Sequence, residues 1–306
     1  NNFGYCKIRS IFLFPQKQTY EGGRWQRLEG NWIIESLKWV FTFWNDKQAE
    51  IWELVSTTPE EFKDGEIWTL ALEINEGLKA IGYGLLVLFF AVSVCRSTIN
   101  FRDFRRPEQG LRFFIRFVLA KTAVTYGIDL MTAVFNICGG IVAAIAGNMG
   151  TMAGEVSLPE ELEQAIMEVG FLASIPLWLV TILGCLVIIV LSFVMILTVY
   201  SRFFKLYLFT AFAPVPLSSF AGEATSFMGK GFLKSYLSVC LEGAVIVLAC
   251  LIFSAFTSSG SIGLADSDST AVVQVLAYLA ETIFNMLVLV GMVKCADRIV
   301  KEMLTL

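Results

Sequence analysis

Five long apolar blocks dominate the sequence and set the class of fold. They cover residues 78–98, 117–147, 171–200, 231–257 and 271–293. An α-helix needs about 20 mostly apolar residues to cross the hydrocarbon core of a bilayer. Apolar residues make up 56% of the chain and charged residues 16%, whereas soluble domains carry about 45–50% and about 25%. The sequence therefore predicts an all-α, polytopic membrane protein with about five transmembrane helices.

A sixth apolar stretch, residues 203–220, contains two prolines. Pro214 and Pro216 lie two residues apart, and a proline inside a helix removes a backbone hydrogen bond and clashes with the preceding turn. The residue before a proline also favours extended backbone. We therefore expect a broken re-entrant or surface element near 203–220 rather than a sixth crossing.

The charges between the blocks alternate along the chain. Residues 148–170 contain five glutamates and no lysine or arginine, and residues 258–270 also lack both cations. The other connections and the C-terminal end are basic, and the first of them carries Arg102, Arg105, Arg106 and Arg112. Short basic loops stay in the cytoplasm, so the pattern predicts an N-terminus outside and a cytoplasmic C-terminus. The arginine-rich loop is interpreted through this topology; contact with nucleic acid phosphates is the alternative.

The segment before the first block differs in character from the rest. Residues 1–77 are predicted to form an extracytoplasmic N-terminal region, and residues 78–306 the transmembrane domain. Residues 31–55 contain four tryptophans in an amphipathic pattern, which suits the headgroup region of a bilayer. A packing face on a small helix outside the membrane is the alternative interpretation.

Polar residues inside three blocks fall on single helix faces. In the second block they follow steps of three and four residues, and glycine and alanine continue the same face. The fourth and fifth blocks show the same spacing. The polar residues of the three faces include Lys121, Thr125, Asp129, Asn136, Lys234, Glu242, Glu281 and Asn285.

Ionisable groups inside a bilayer normally turn inward and pair, since each costs about 2.5–3.5 kcal/mol on insertion scales. We therefore expect Lys121, Asp129, Glu242 and Glu281 to find partners inside the bundle. Two interpretations stay open: a hydrated cavity, or a structural set of ion pairs that holds helices or subunits together.

Several kinds of functional site are excluded or unsupported. The chain has no histidine, which excludes a Ser-His-Asp triad and a histidine-rich metal site. Its seven cysteines show no CxxC spacing, so we interpret them as free thiols in apolar surroundings. No catalytic, cofactor or metal site is predicted.

Two runs of sequence resemble a known family. They are YSRFFKLYLFTAFAPVPLSSFAGE, from Tyr200 to Glu223, and GKGFLKSYLSVCLEGA, from Gly229 to Ala244. Both resemble the TrbL-type polytopic subunit of conjugative type IV secretion systems. The resemblance implies a core subunit of a DNA-transfer machine in the bacterial cytoplasmic membrane, encoded on a mobile genetic element.

The resemblance also implies partners, but no catalytic residues. The expected partners are membrane lipids, the secretion ATPases, the coupling protein and other channel subunits. A homo-oligomer and transient contact with the transferred DNA are implied as well.

Within the first run, the prolines and nearby cations form a distinct group. Arg202, Lys205, Pro214, Pro216 and Lys230 are interpreted as a gate or docking element on the cytoplasmic side. The alternative is a tight connection between two spans.

The leading hypothesis is a non-enzymatic channel or scaffold subunit that assists the transfer of a DNA–protein substrate. ATP hydrolysis would then be supplied by partner proteins. A small-molecule or ion transporter is the second hypothesis; it predicts inverted repeats between the halves, and the sequence contains no evident ones. A membrane scaffold that conducts nothing is the third.

Overall fold

The computed structural model describes residues 25–98, 107–149, 156–168, 171–258 and 271–304. Arg102, Arg105 and Arg106 of the predicted basic loop lie outside these residues. The described helices are α1 (Trp25–Ser56), α2 (Glu66–Thr98), α3 (Pro107–Thr125), α4 (Gly127–Met149), α5 (Glu160–Glu168), α6 (Phe171–Phe212), α7 (Pro214–Ser218), α8 (Ser226–Ser258) and α9 (Ala271–Met303). Short 3-10 helices cover Phe62–Gly65 and Ser219–Ala221.

Five helical segments of the described chain are long and apolar enough to cross a membrane. They are Phe62–Arg96, Gly127–Gly147, Pro176–Phe212, Ser226–Thr257 and Val272–Met303. The prediction of an all-α protein with five membrane-spanning helices is therefore confirmed.

Contacts between three of these helices give their relative directions. Asn75 of α2 bonds to Thr210 of α6, and Gly82 of α2 meets Pro214 just beyond α6, so α2 and α6 run in the same direction. In contrast, Phe209 of α6 contacts Phe232 of α8, while Lys205 contacts Glu242. Helix α8 is thus antiparallel to α6. Which end faces the cytoplasm stays a prediction.

The second apolar block, residues 117–147, is divided at Tyr126 into α3 and α4. The next residue, Gly127, packs closely on α7, since a Cβ there would lie 2.9 Å from the Leu217 side chain. Helix α3 instead pairs antiparallel with α2. The Phe90 and Phe117 rings are 4.9 Å apart, and the hydroxyls of Tyr83 and Thr125 are 2.9 Å apart.

Helix α1 runs alongside the first part of α6. The Trp32 and Trp178 rings are 5.9 Å apart, and the Tyr200 hydroxyl donates to the Glu50 carboxylate at 3.3 Å. Trp44 is 1% exposed, so the tryptophan-rich segment shares an apolar core with the spans. Its place relative to the headgroups, and a domain boundary between residues 77 and 78, stay predictions.

The link between α1 and α2 contains three consecutive residues with positive φ. Lys63 has φ 53° and ψ 47°, Asp64 has φ 58° and ψ 18°, and Gly65 has φ 75°. Left-handed backbone costs about 1–2 kcal/mol for each residue with a Cβ. The buried Phe62 ring, stacked on Phe203 with centroids 4.2 Å apart, holds this turn against α6.

The proline break is helical rather than extended. Residues 203–212 continue α6, and Ala213 keeps helical angles with φ −48° and ψ −41°. Pro214 then begins α7, where the first helical position does not require an N–H group. The expectation of an extended break at these prolines is therefore corrected.

Asn75 compensates for the N–H group that Pro214 lacks. In a continuous helix, the N–H of residue 214 would donate to the carbonyl of Thr210. The Asn75 Nδ2 atom, on α2, donates to this carbonyl at 2.6 Å instead. Gly82 lets α2 come this close, because a Cβ there would lie 2.9 Å from the Pro214 carbonyl oxygen.

Replacing Asn75 with leucine is expected to destabilise the protein by about 1–3 kcal/mol, because the buried Thr210 carbonyl loses its strongest donor. Thermal unfolding in detergent measures the effect. Glu73→Leu, at an exposed position on the same helix, is the control. Equal unfolding temperatures for the two variants would contradict the role assigned to Asn75.

Candidate functional site

Five charged side chains from three helices meet near the C-terminal end of α6. We call them the charge cluster: Arg202 and Lys205 on α6, Glu242 on α8, and Asp297 and Lys301 on α9. The Lys205 Nζ atom lies 3.3 Å from the Glu242 carboxylate and 3.5 Å from that of Asp297. Lys301 bonds to the other oxygen of Asp297 at 2.9 Å.

Lys205 is the centre of this network. Its side chain is 35% exposed, whereas that of Glu242 is 1% exposed. A carboxylate so deeply buried needs a cation and hydrogen bonds, and Lys205 supplies both. A single cation therefore joins α6 to α8 and α9.

Arg202 lies one helical turn before Lys205 and is 1% exposed. The rings of Phe135 and Phe203 lie 5.7 and 5.8 Å from its guanidinium carbon. Its Nε and Nη1 atoms are buried without a hydrogen-bond partner in the described chain. Glu242 interacts with this cation through its charge.

Gly243 provides the space that the guanidinium occupies. A Cβ at this position would lie 2.5 Å from Nη1 and 2.6 Å from Cζ of Arg202. Real Cβ atoms do not approach other heavy atoms so closely, so the guanidinium would have to move if residue 243 had a side chain.

The thiols of Cys138 and Cys240 both interact electrostatically with Arg202. Both are buried, on α4 and α8. The Tyr236 hydroxyl donates to the Met131 carbonyl at 3.0 Å, so the same two helices are joined a turn away. All six described cysteines are free.

A small cavity lies next to the Phe135 side of the cluster. It has a volume of about 10 Å³ and is lined by the Thr58–Glu60 turn, Thr132, Asn136 and Tyr236, among others. That volume holds about one water molecule. In the described chain no group of three or more His, Cys, Asp or Glu side chains could hold a metal ion.

The predicted polar faces divide into an inward and an outward set. Glu242 is buried, and Glu281 and Asn285 are half-buried. Lys121, Asp129, Asn136 and Lys234 are exposed, and Thr125 is half-buried beside Tyr83. No described residue pairs with Lys121 or Asp129, so the expected inward pairing is observed for Glu242 and not for these two.

The comparisons with known proteins give one match. The family model described as TrbL/VirB6 plasmid conjugal transfer like protein matches residues 44–214. The chain belongs to the TrbL/VirB6 family. The predicted resemblance is thereby confirmed, and the protein is a multi-pass membrane subunit of a conjugal transfer system of the type IV secretion class. No curated protein and no solved structure matches the chain.

The TrbL/VirB6 match extends from the middle of α1 to Pro214. It includes Arg202 and Lys205 of the charge cluster, while their partners on α8 and α9 lie beyond it. Members of this family are structural subunits of the transfer apparatus that act together with the other subunits of the system.

The predicted gate residues occupy different environments. Arg202 and Pro214 are buried, Lys205 and Pro216 are half-buried, and Lys230 is exposed. Arg112 of the basic loop is exposed as well. The structure brings Arg202 and Lys205 together with Glu242, but gives Lys230 no contact with them. A gating or docking role for these residues stays a prediction.

Sequence reasoning missed Asp297, Lys301 and Gly243. Asp297 lies among Lys294, Arg298 and Lys301, and the sequence of this segment was interpreted only as basic. The spacing of Asp297 and Lys301 by four residues is a pairing signal on a helix. Gly243 carried no such signal, because its role depends on Arg202 of another helix.

Proposed function

We propose that the protein is a channel or scaffold subunit of a conjugative type IV secretion system in the bacterial cytoplasmic membrane. In this role it assists the transfer of a DNA–protein substrate, and the secretion ATPases and the coupling protein act as its partners. The charge cluster and the proline break form the element that changes conformation during transfer.

The incomplete bonding of Arg202 is the observation that supports this proposal. A set of ion pairs that only held the helices together would satisfy its buried members, because an unbonded buried donor costs free energy. Arg202 is 1% exposed and has two nitrogens without a partner. Such unfavourable features are retained mainly where function requires them.

The position of the charge cluster suggests which helix moves in the proposed conformational change, namely α6 relative to α8 and α9. Lys205 holds α6 to α8 and α9, while the last turn of α6 leads into the proline break. In the proposed movement of α6, Arg202 turns to donate to Glu242, with which it already interacts through its charge, and Lys205 keeps Asp297. We therefore assign two pairings to the cluster, one of them completing the hydrogen bonds of Arg202.

The Arg202→Met variant separates this role from a structural one. The Nε and Nη1 atoms of Arg202 have no hydrogen-bond partner in the described chain, and burying an unsatisfied charge costs free energy. We therefore expect an unchanged or higher unfolding temperature in detergent. The transfer frequency should fall by about 10- to 100-fold, because one pairing loses a charged hydrogen bond of about 1.5–3 kcal/mol.

Lys294→Met is the matched control, since Lys294 is an exposed cation on α9; it should leave both quantities unchanged. Normal transfer by a folded Arg202→Met protein would refute the proposed role. Loss of stability together with transfer would assign Arg202 to the structural framework instead. Solute flux through the purified wild-type protein in liposomes would favour a transporter.

A further inference from the structure

The link between α1 and α2 contains the start of a helix that does not continue. Thr58 precedes a proline and lies three residues before Glu61, which is the pattern of a helix N-cap with a capping box. The N–H group of Phe62 donates to the Thr58 carbonyl at 3.1 Å, so one helical turn forms. Residues 63–65 then adopt left-handed backbone, and α2 begins only at Glu66.

The left-handed conformation is unfavourable for two of these three residues. Lys63 and Asp64 carry Cβ atoms, which crowd the backbone in this region. Gly65 after Asp64 is a common turn signal, whereas the helix-start pattern favours a helix that runs on into α2. The local sequence is therefore compatible with a turn and with a continuous helix, and contacts with other helices decide between them.

The contacts that hold the turn come from α6. The Phe62 ring is 4% exposed and stacks on Phe203 with centroids 4.2 Å apart. The Tyr207 hydroxyl donates to the Pro59 carbonyl at 2.9 Å. The guanidinium carbon of Arg202 lies 5.8 Å from the Phe203 ring, so Phe62 is seated on the part of α6 that carries the charge cluster.

We propose that this link, residues 58–65, is a latch with two conformations. In the latched conformation, which the structure shows, Phe62 is stacked on α6 and residues 63–65 are left-handed. In the released conformation these three residues become right-handed, α2 extends back to Pro59, and Phe62 leaves α6. Strained backbone persists where the surrounding structure imposes it, and it clusters at switch regions.

Release of the latch moves the link rather than α2. Helix α2 has its own bond to α6, from Asn75 to the Thr210 carbonyl, and this bond does not involve the latch. The inference rests on the proposed function, because the proposed movement of α6 withdraws Phe203 from Phe62 and favours release. The latch thereby reports the state of the charge cluster to α1.

Two variants shift the latch in opposite directions. Lys63→Gly combined with Asp64→Gly favours the latched conformation, because glycine adopts left-handed backbone readily and weakens a helix. Gly65→Ala favours release, since a Cβ there would lie 2.9 Å from the Glu60 carbonyl oxygen in the latched conformation. Gly77→Ala on α2 is the control, because its Cβ would meet no atom within 4 Å.

The distance between spin labels at Glu60 and Ser201 distinguishes the two conformations. Both positions are exposed, one in the latch and one on α6. With the full chain in liposomes, Gly65→Ala should raise the ratio of the long to the short distance by about fivefold or more over Gly77→Ala. The double glycine variant should show the short distance almost alone.

An unchanged distance in Gly65→Ala would overturn the latch, and a lower unfolding temperature in that variant would then assign the link to the rigid framework. Shifted distances with normal DNA transfer in both latch variants would refute the connection between release and transfer. Failure of the latch thus appears in the label distances, whereas failure of the proposed function appears in the transfer frequency of Arg202→Met.

Discussion

Replacing Lys205 with methionine should lower the free energy of unfolding by about 3–5 kcal/mol, since the change leaves a buried charge without its partner. The Glu242 side chain is 1% exposed, and Lys205 is its cation at 3.3 Å. Without Lys205 the carboxylate loses its ion pair in the described chain and must take up a proton, draw water into the core or bond to Arg202. Thermal unfolding in detergent, together with the amount of protein in the membrane, measures the loss.

A second substitution separates the effect of leaving the Glu242 carboxylate unpaired from the effect of losing the Lys205 side chain. Adding Glu242→Leu to Lys205→Met removes the orphaned carboxylate, so the unfolding temperature should return to near that of the wild type. Transfer should stay defective, because neither proposed pairing of the cluster remains. A double variant as unstable as Lys205→Met alone would show that the Lys205 stem, rather than its charge, stabilises the core.

The Gly243→Ala variant should lower the unfolding temperature, although replacing glycine by alanine inside a helix usually raises it. Alanine is favoured over glycine inside a helix by about 1 kcal/mol, yet the new Cβ would lie 2.5 Å from Nη1 of Arg202. The guanidinium must then move within a closely packed core, and overpacking of this kind costs about 1–3 kcal/mol. We expect a lower unfolding temperature and reduced transfer.

Gly231→Ala is the matched control for this experiment, because Gly231 is on the same helix and its Cβ would meet no atom within 4 Å. It should be neutral or slightly stabilising. Combining Gly243→Ala with Arg202→Met should recover stability, since methionine can bend away from the new methyl group. If Gly243→Ala and Gly231→Ala unfold at the same temperature, Gly243 does not make room for Arg202.

The spans could be predicted because the mean hydropathy and length of a segment depend only on the residues of that segment. Hydropathy and length identify a membrane helix wherever its neighbours lie. The division at Tyr126 could not be found this way, because apolar residues lie on both sides of it. Residues 203–212 were separated from the third span for a related reason: proline marks a break, but not how many residues before it stay helical.

The composition of the charge cluster could be predicted only in part. Arg202, Lys205 and Glu242 carried a signal because charges are rare in apolar sequence. Asn75 and Gly243 are ordinary residues whose roles arise from partners far away in the chain; Asn75 and Thr210 are 135 positions apart. The outward orientation of Asp129 was missed because periodicity defines a face without indicating its direction.

The length of α6 has a mechanical consequence. Its 42 residues span about 63 Å, twice the hydrocarbon thickness of about 30 Å. Even a tilt of 40° leaves about 48 Å along the membrane normal, so the helix acts as a lever that emerges from the bilayer. Pro176 leaves one gap in the backbone hydrogen bonds near the start of α6, and from there a ladder of these bonds carries a force to Arg202 and on to Ala213. A force applied to α6 at one membrane surface therefore moves the part of α6 at the other surface directly, without a relay of side chains.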